Sequence, residues 1–120
     1  MNEKINHKPY DLGERTKLFA KQVIAYQNTL SKTLANTEIR KQLIRSAGSV
    51  GANYIEANES FSKKDFILRI KTCRKEAKES GYWLELLEVK GDAPEKRRQE
   101  LIQEATELLR IFNAIIEKKN

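Results

Sequence analysis

Hydrophobic residues recur every three or four positions through most of this chain, which is the spacing that aligns side chains along one side of an α-helix. Short polar segments separate four such stripes. The stripes are Phe19, Val23, Tyr26, Leu30 and Leu34; Ile39, Leu43, Ala47, Val50 and Tyr54; Phe66, Ile70, Cys73, Ala77, Leu84 and Leu87; and Leu101, Ala105, Leu108, Phe112 and Ile115. This pattern predicts an all-α chain of four helices.

Polar residues with the chemistry of N-caps precede two of the stripes. Asp11 stands three residues before Glu14, and Ser62 stands three residues before Asp65. In each pair, the first side chain can accept a hydrogen bond from an early backbone N–H of the helix. We therefore expect helices to begin at these two positions.

The other helix boundaries follow from residues between the stripes. The first helix is predicted to continue to Leu34, which gives it a length of about 35 Å at 1.5 Å per residue. The Asn36-Thr37 pair is expected to cap the second helix. Gly91 predicts that the third helix ends near Lys90 and that the fourth begins just beyond it.

Short connections between the stripes favour antiparallel packing of successive helices. At 120 residues, the chain is long enough for one hydrophobic core. We therefore predict an antiparallel, up-down-up-down four-helix bundle over residues 11–120. Residues 1–10, which include Pro9, are expected to form an irregular N-terminal arm.

No apolar run reaches the length of a membrane span, and the first residues lack the apolar core of a signal peptide. We therefore expect a cytoplasmic protein without membrane contact. Cys73 is the single cysteine, so it can form neither an internal disulfide nor a zinc site by itself. It is expected to pack in the core as a small hydrophobic residue, and no metal or cofactor is expected.

Signatures of catalysis are largely absent from the sequence. The single histidine, His7, lies outside all four predicted helices. A di-iron bundle would need Glu-x-x-His pairs, and a hydrolytic triad would need a histidine beside a serine. No glycine-rich phosphate loop of the Walker type is present. We therefore predict no catalytic residues and no enzymatic activity.

Positive charge is concentrated in two parts of the chain. The sequence has 23 Lys and Arg residues against 17 Asp and Glu, which gives a net charge of +6. Residues 1–35 and residues 61–90 each carry a net charge of +3. Such an excess favours contact with nucleic acid or another anionic surface.

Basic residues form a row on the third helix, with spacings of seven, four and three residues that place four lysines on one side. We name this row and its flanking residues the basic ridge: Lys63, Lys64, Lys71, Arg74, Lys75 and Lys78. A phosphate backbone could follow the ridge, which is therefore the candidate nucleic-acid-binding site. The alternative is a solvated helix face interlaced with Glu76 and Glu79. No aromatic residue is interleaved with the lysines, so binding would use phosphates and not base stacking.

A second group of residues points to packing or assembly. We name this group the packing seam: Ser46, Gly48, Ser49, Gly51, Asn53, Glu56 and Trp83. A glycine within a helix costs about 0.5 to 1 kcal/mol relative to alanine, so Gly48 and Gly51 predict close approach of a neighbouring helix. The polar members either face water or form a partly buried network that fixes register or oligomeric state. Trp83 is either at the edge of the core or an anchor of a subunit interface.

Large apolar residues also lie beside the stripes, where one bundle leaves them no place in its core. These residues are Ile24, Ile44, Tyr82, Leu86, Leu109 and Ile116. Because apolar side chains beyond the core must find a partner or stay in water, the surplus predicts self-association.

With its flanking helices included, nearly the whole chain resembles a known protein family. The matching parts are Arg45-Ser-Ala, Ser49-Val-Gly-Ala-Asn53, Glu56, Ser62-Lys-Lys-Asp-Phe66, Lys75-Glu-Ala-Lys-Glu-Ser80 and Tyr82-Trp-Leu84. They resemble the four-helix-bundle proteins encoded in bacterial 23S ribosomal RNA intervening sequences, and they are similar to the accessory variability proteins of diversity-generating retroelements. Many members have a glycine where this chain has Ala57.

The resemblance implies an antiparallel four-helix bundle that has no known enzymatic activity and assembles as a homopentamer. The retroelement relatives bind RNA or DNA through a basic ring surface and engage a reverse transcriptase. We therefore predict a homo-oligomer that binds structured RNA or DNA, with a reverse transcriptase or another protein as a further partner. An assembly or scaffold protein without nucleic-acid binding is the first alternative, and an enzyme of unrecognised type is the second.

Overall fold

The computed structural model describes residues 11–119, and these residues form four α-helices and no strand. The helices are α1 (Leu12–Asn28), α2 (Leu34–Asn58), α3 (Lys63–Leu86) and α4 (Asp92–Lys119). The predicted all-α class is therefore confirmed. The predicted arm over residues 1–10, with His7, lies outside the described residues, as does Asn120.

The helices pack in a closed cycle. α1 contacts α2 and α4, α3 contacts α2 and α4, and neither diagonal pair meets. Because consecutive helices are neighbours joined by short loops, they run antiparallel. The structure is the predicted up-down-up-down bundle.

The core is built from the four predicted stripes. Every member except Leu34 is buried or packed against buried residues. The largest fully buried apolar side chains come from all four helices: Phe19, Val23, Leu43, Val50, Ile70, Leu84, Leu101, Leu108 and Phe112. The helical period of the sequence therefore identifies the core correctly.

The first helix is shorter than predicted. α1 ends at Asn28 and not at Leu34, so its 17 residues span about 25 Å at 1.5 Å per residue. The Thr29 hydroxyl donates to the Tyr26 carbonyl at 2.6 Å, which satisfies an acceptor at the helix end. Leu34 is 82% exposed and is the first residue of α2.

Two of the three predicted N-caps are confirmed. The side chains of Asp11 and Ser62 accept backbone N–H groups at the starts of α1 and α3. At α2 the prediction is wrong, because the cap is Thr33 and its hydroxyl accepts the Asn36 N–H at 3.0 Å. Asn36 and Thr37 both lie within the first turn of α2.

Asn36 connects the two loops at one end of the bundle. Its side chain is fully buried, and Nδ2 donates to the carbonyls of Ser31 and Glu88, each at 3.0 Å. Its Oδ1 accepts the backbone N–H of Glu88 at 2.8 Å. One amide thus satisfies three backbone groups in the α1–α2 and α3–α4 loops.

The third helix ends at Leu86, before the predicted Lys90. Arg98 of α4 donates from Nη1 to the Leu87 carbonyl at 2.6 Å and lies 3.3 Å from the Leu84 carbonyl. These bonds satisfy acceptors that a longer helix would have paired internally. Gly91 follows with a φ of 100°, in the left-handed region that favours glycine, and α4 begins at the next residue.

A partly buried ion-pair cluster joins α1 to α4. Arg15 donates to both carboxylate oxygens of Glu104, at 2.7 and 2.9 Å, and to Glu107 at 2.7 Å. These bonds raise the pKa of Arg15, with the Glu104 hydrogen bond as the main cause. The two-pronged geometry fixes the angle of α1, the shortest helix, against α4.

We expect Asn36→Ala to lower the free energy of unfolding by about 2 to 4 kcal/mol, because it leaves several loop backbone groups without partners. Urea denaturation followed by circular dichroism measures this change. Asn58→Ala is the matched control, because Asn58 is exposed at the end of α2, and it should change stability by no more than about 0.5 kcal/mol. Equal stability of the two variants would contradict the structural role of Asn36.

Candidate nucleic-acid interface

The basic ridge lies along the outer side of α3. Its five lysines are all exposed, whereas Arg74 is partly buried. Arg74 donates from Nη1 to Oδ1 of Asn113 on α4 at 2.7 Å. The structure thus places Arg74 at the α3–α4 boundary, beside the row of lysines that faces solvent.

Two acidic residues of α3, Glu76 and Glu79, pair with an arginine of α2. Arg45 of α2 donates to Glu76 at 3.3 Å and to Glu79 at 3.1 Å, so both carboxylates face α2. Within residues 11–119, no lysine of the ridge has a carboxylate within 4.0 Å. Neither Glu76 nor Glu79 forms an ion pair with these lysines, but Glu79 lies one turn after Lys75 on the same side of α3, so the alternative of a solvated helix face stays open. The ridge is solvated, but its charge is not paired.

Tyr82 extends the row of lysines by one turn. No aromatic residue lies between the lysines, as expected, but Tyr82 follows Lys78 by four residues and is 53% exposed. Its ring makes an edge contact with Trp83, with centroids 5.0 Å apart and planes at 67°. The α3 surface therefore combines a cationic row with an aromatic ring.

Part of the packing seam forms a buried contact between α2 and α3. Ser46 and Ser80 are fully buried, and their hydroxyl oxygens lie 2.9 Å apart. Each oxygen also lies within hydrogen-bond distance of a carbonyl of its own helix. Toward the hairpin, Arg69 donates to Asn53 Oδ1 at 3.0 Å, and Asn53 donates to the Ser49 carbonyl at 2.9 Å.

The two glycines of the seam have different surroundings. A Cβ at Gly51 would lie 3.0 Å from the hydroxyl of Thr16 on α1, so a neighbouring helix does approach closely there. A Cβ at Gly48 would have no heavy atom within 4 Å, and Gly48 is exposed. Within the chain, the predicted close approach holds for Gly51 and is wrong for Gly48.

The remaining residues of the packing seam, Glu56 and Trp83, lie in separate parts of the structure, near the ends of α2 and α3. Glu56 is exposed near the α2–α3 hairpin. Trp83 is partly buried and packs against the core, and its indole N–H has no hydrogen-bond partner within residues 11–119. The structure thus divides the seam into a buried contact with α3, a contact with α1 and an exposed edge.

The exposed apolar residues differ from the set predicted to lie outside the core. Ile116 is buried in the core and Leu109 packs against it, whereas Ile24, Tyr82 and Leu86 are exposed. Among the described residues, the structure adds five exposed residues that sequence reasoning missed, namely Leu18, Leu34, Ile55, Phe61 and Leu68. Phe61 precedes α3 in the hairpin turn, so no helical period singled it out.

Cys73 lies in the core, and burial raises the pKa of its thiol to about 12. The thiol therefore stays protonated near neutral pH, where only the thiolate would be nucleophilic. Within residues 11–119, no group of three His, Cys, Asp or Glu residues could hold a metal ion. None of the described helices is long and apolar enough to cross a membrane.

Comparisons with known proteins agree with this fold. The family model of the 23S rRNA-intervening sequence protein matches residues 10–114, so the chain belongs to that family. A crystal structure from Bacteroides thetaiotaomicron VPI-5482, described as a protein with unknown function from the S23 ribosomal protein family, is 30% identical with a TM-score of 0.77. The match covers 88% of this chain and 97% of that chain. No protein with a curated description matches the chain.

We expect Gly51→Leu to lower the free energy of unfolding by about 1 to 3 kcal/mol, despite the higher helix propensity of leucine. Thr16 has little room to move, because it is buried and its hydroxyl donates to the Gly13 carbonyl at 3.0 Å. Gly48→Ala is the control and should raise stability by about 0.5 to 1 kcal/mol. Thermal melts of both variants test the pair, and a stabilised Gly51→Leu protein would refute the close α1–α2 contact.

Proposed function

We propose that this protein is a non-enzymatic homo-oligomer that binds structured RNA through the basic ridge of α3. The observation that supports the proposal is the row of exposed lysines without carboxylate partners, next to two glutamates of α3 that pair with Arg45 of α2. Unpaired surface cations gain more from a phosphate than cations already engaged in ion pairs.

The geometry of the ridge suits a phosphate backbone. Lys64 and Lys78 are 14 residues apart, which corresponds to about 21 Å along a helix at 1.5 Å per residue. Lysine ammonium groups act as point charges, whereas the planar guanidinium of arginine can form paired hydrogen bonds with a base edge. We therefore infer binding that depends strongly on salt and weakly on sequence, as expected for phosphate contacts.

Self-association forms the second part of the proposal. Ile55 is 62% exposed and Phe61 is fully exposed at the α2–α3 end of the bundle, where none of the helices in residues 11–119 covers them. Apolar residues in such a position favour contact with another subunit. Family resemblance makes five copies the expected number. Repetition of the ridge around a ring would bring several weak patches to one RNA.

An assembly or scaffold protein without nucleic-acid binding is the second candidate function. The exposed apolar end of the bundle favours it, because self-association needs no contribution from the ridge. A reverse transcriptase or another protein partner and a cytoplasmic location stay predictions. The two candidates differ in whether the lysines contact a ligand.

We expect the native particle to have the mass of five 13.9 kDa chains in light scattering at micromolar concentration. The double variant Ile55→Asp with Phe61→Asp should shift the particle to the single-chain mass, because it places charge in the apolar contact. Leu34→Asp is the matched control, since Leu34 is exposed at the opposite end of α2. A single-chain mass for the parent protein would remove the oligomer proposal.

We expect the double variant Lys71→Glu with Lys75→Glu to bind structured RNA more weakly and to flatten the slope of log affinity against log salt by about two, one for each lost phosphate contact. Filter binding across a salt series measures both quantities. The control is Lys17→Glu with Lys21→Glu, which reverses two exposed charges with the same spacing on α1. If the ridge variant binds RNA with the parent's affinity and slope, the scaffold function replaces RNA binding.

A further inference from the structure

The row of side chains on the outer side of α3 changes from cationic to aromatic at one end. Lys71, Lys75, Lys78 and Tyr82 follow one another at spacings of four, three and four residues, so they share one side of the helix. Lys78 and Tyr82 are separated by about 6 Å along the axis at 1.5 Å per residue. A nucleotide whose phosphate lies at Lys78 can therefore place its base at Tyr82.

A groove between α3 and α4 begins at Tyr82. It has a volume of about 300 Å³, and the residues that line it include Gly81, Ile102, Thr106 and Leu109. Gly81 contributes no side chain, and even an added Cβ there would come no closer than 4.0 Å to Ala105. The groove thus stays open beside the exposed ring, with apolar walls that suit a flat heterocycle.

The ring of Tyr82 has a fixed neighbour. Trp83 contacts it edge to face, and Trp83 itself packs against the core. Tyr26, in contrast, is buried, and Tyr54 packs against the core. Because a rigid aromatic side chain loses little conformational entropy on contact, Tyr82 is suited to stacking.

Charged residues at the groove favour different parts of a bound nucleotide. Glu85 lines the groove one turn after Gly81, so its carboxylate repels a phosphate there but can accept hydrogen bonds from base N–H groups. Lys78 lies at the same groove and continues the cationic row. The arrangement therefore separates a phosphate position at the lysines from a base position at Tyr82.

We propose that Tyr82 stacks on an unpaired RNA base in the α3–α4 groove while Lys78, Lys75 and Lys71 hold the phosphates next to it. The inference rests on the proposed RNA-binding function and names its ligand class, which is RNA with a loop or bulge beside a stem. A continuous duplex keeps its bases stacked inside the helix and offers none to the groove.

The test compares a hairpin RNA that has unpaired loop bases with a continuous duplex of the same stem. Stacking of one base contributes about 1 to 3 kcal/mol, so the parent protein should bind the hairpin about 5- to 160-fold more tightly. Trp83 is the single tryptophan and contacts Tyr82, so the hairpin, but not the duplex, should change its fluorescence.

Two variants of the exposed Tyr82 separate stacking from charge. Tyr82→Ala should abolish the preference for the hairpin while leaving duplex affinity and its salt slope unchanged. Tyr82→Phe should keep the preference, because the π face remains. Both variants should retain the parent's thermal melt, since Tyr82 is not part of the core.

The outcomes distinguish this inference from the function on which it rests. If Lys71→Glu with Lys75→Glu weakens binding of both RNAs but Tyr82→Ala keeps the hairpin preference, the stacking site is wrong and RNA binding by the ridge stands. Equal affinity of the parent protein for hairpin and duplex also overturns the stacking site. If the parent protein binds neither RNA in a salt-dependent manner, both the function and the stacking site are wrong.

Discussion

At the contact between α2 and α3, the hydroxyl oxygens of Ser46 and Ser80 lie 2.9 Å apart and have no access to water. Turning α3 about its axis would break this contact and lose a hydrogen bond worth about 0.5 to 1.5 kcal/mol, although each hydroxyl would keep the carbonyl of its own helix. The same orientation directs Glu76 toward Arg45. The lysines must then face solvent, because they lie on the opposite side of α3. The rotation of α3 about its axis therefore determines which surface of the protein carries the unpaired lysines.

Two further sets of polar contacts hold this arrangement. Asn36 and Arg98 bind backbone groups of the loops and the α3 end at one end of the bundle, and Arg15 joins α1 to α4 through carboxylates. The partners of Asn36 and Arg15 are 52 and 89 residues away in sequence, so these two contacts close long segments of chain. Hydrophobic burial supplies most of the stability, whereas these bonds select one register among the ways four amphipathic helices can pack.

The proposed activities use different parts of this scaffold. RNA binding is assigned to the outer side of α3, where the lysines lead to Tyr82, and self-association to the end of the bundle marked by Ile55 and Phe61. If subunits join in a ring through the end of the bundle, the outer side of α3 stays available for RNA on every subunit. Weak phosphate contacts and a stacked base would then act together on one RNA, which explains how a small bundle without a deep site could bind structured RNA.

The sequence by itself determined the number of helices, their core stripes and the caps at Asp11 and Ser62, because these depend on contacts within one or two turns. It also located the basic ridge, but it could not tell whether Glu76 neutralises it, since the partner of Glu76 is on another helix. Gly48 and Gly51 look alike in sequence, yet only Gly51 faces Thr16 of α1. Such differences arise from contacts between residues far apart in the chain, so only the tertiary structure decided them.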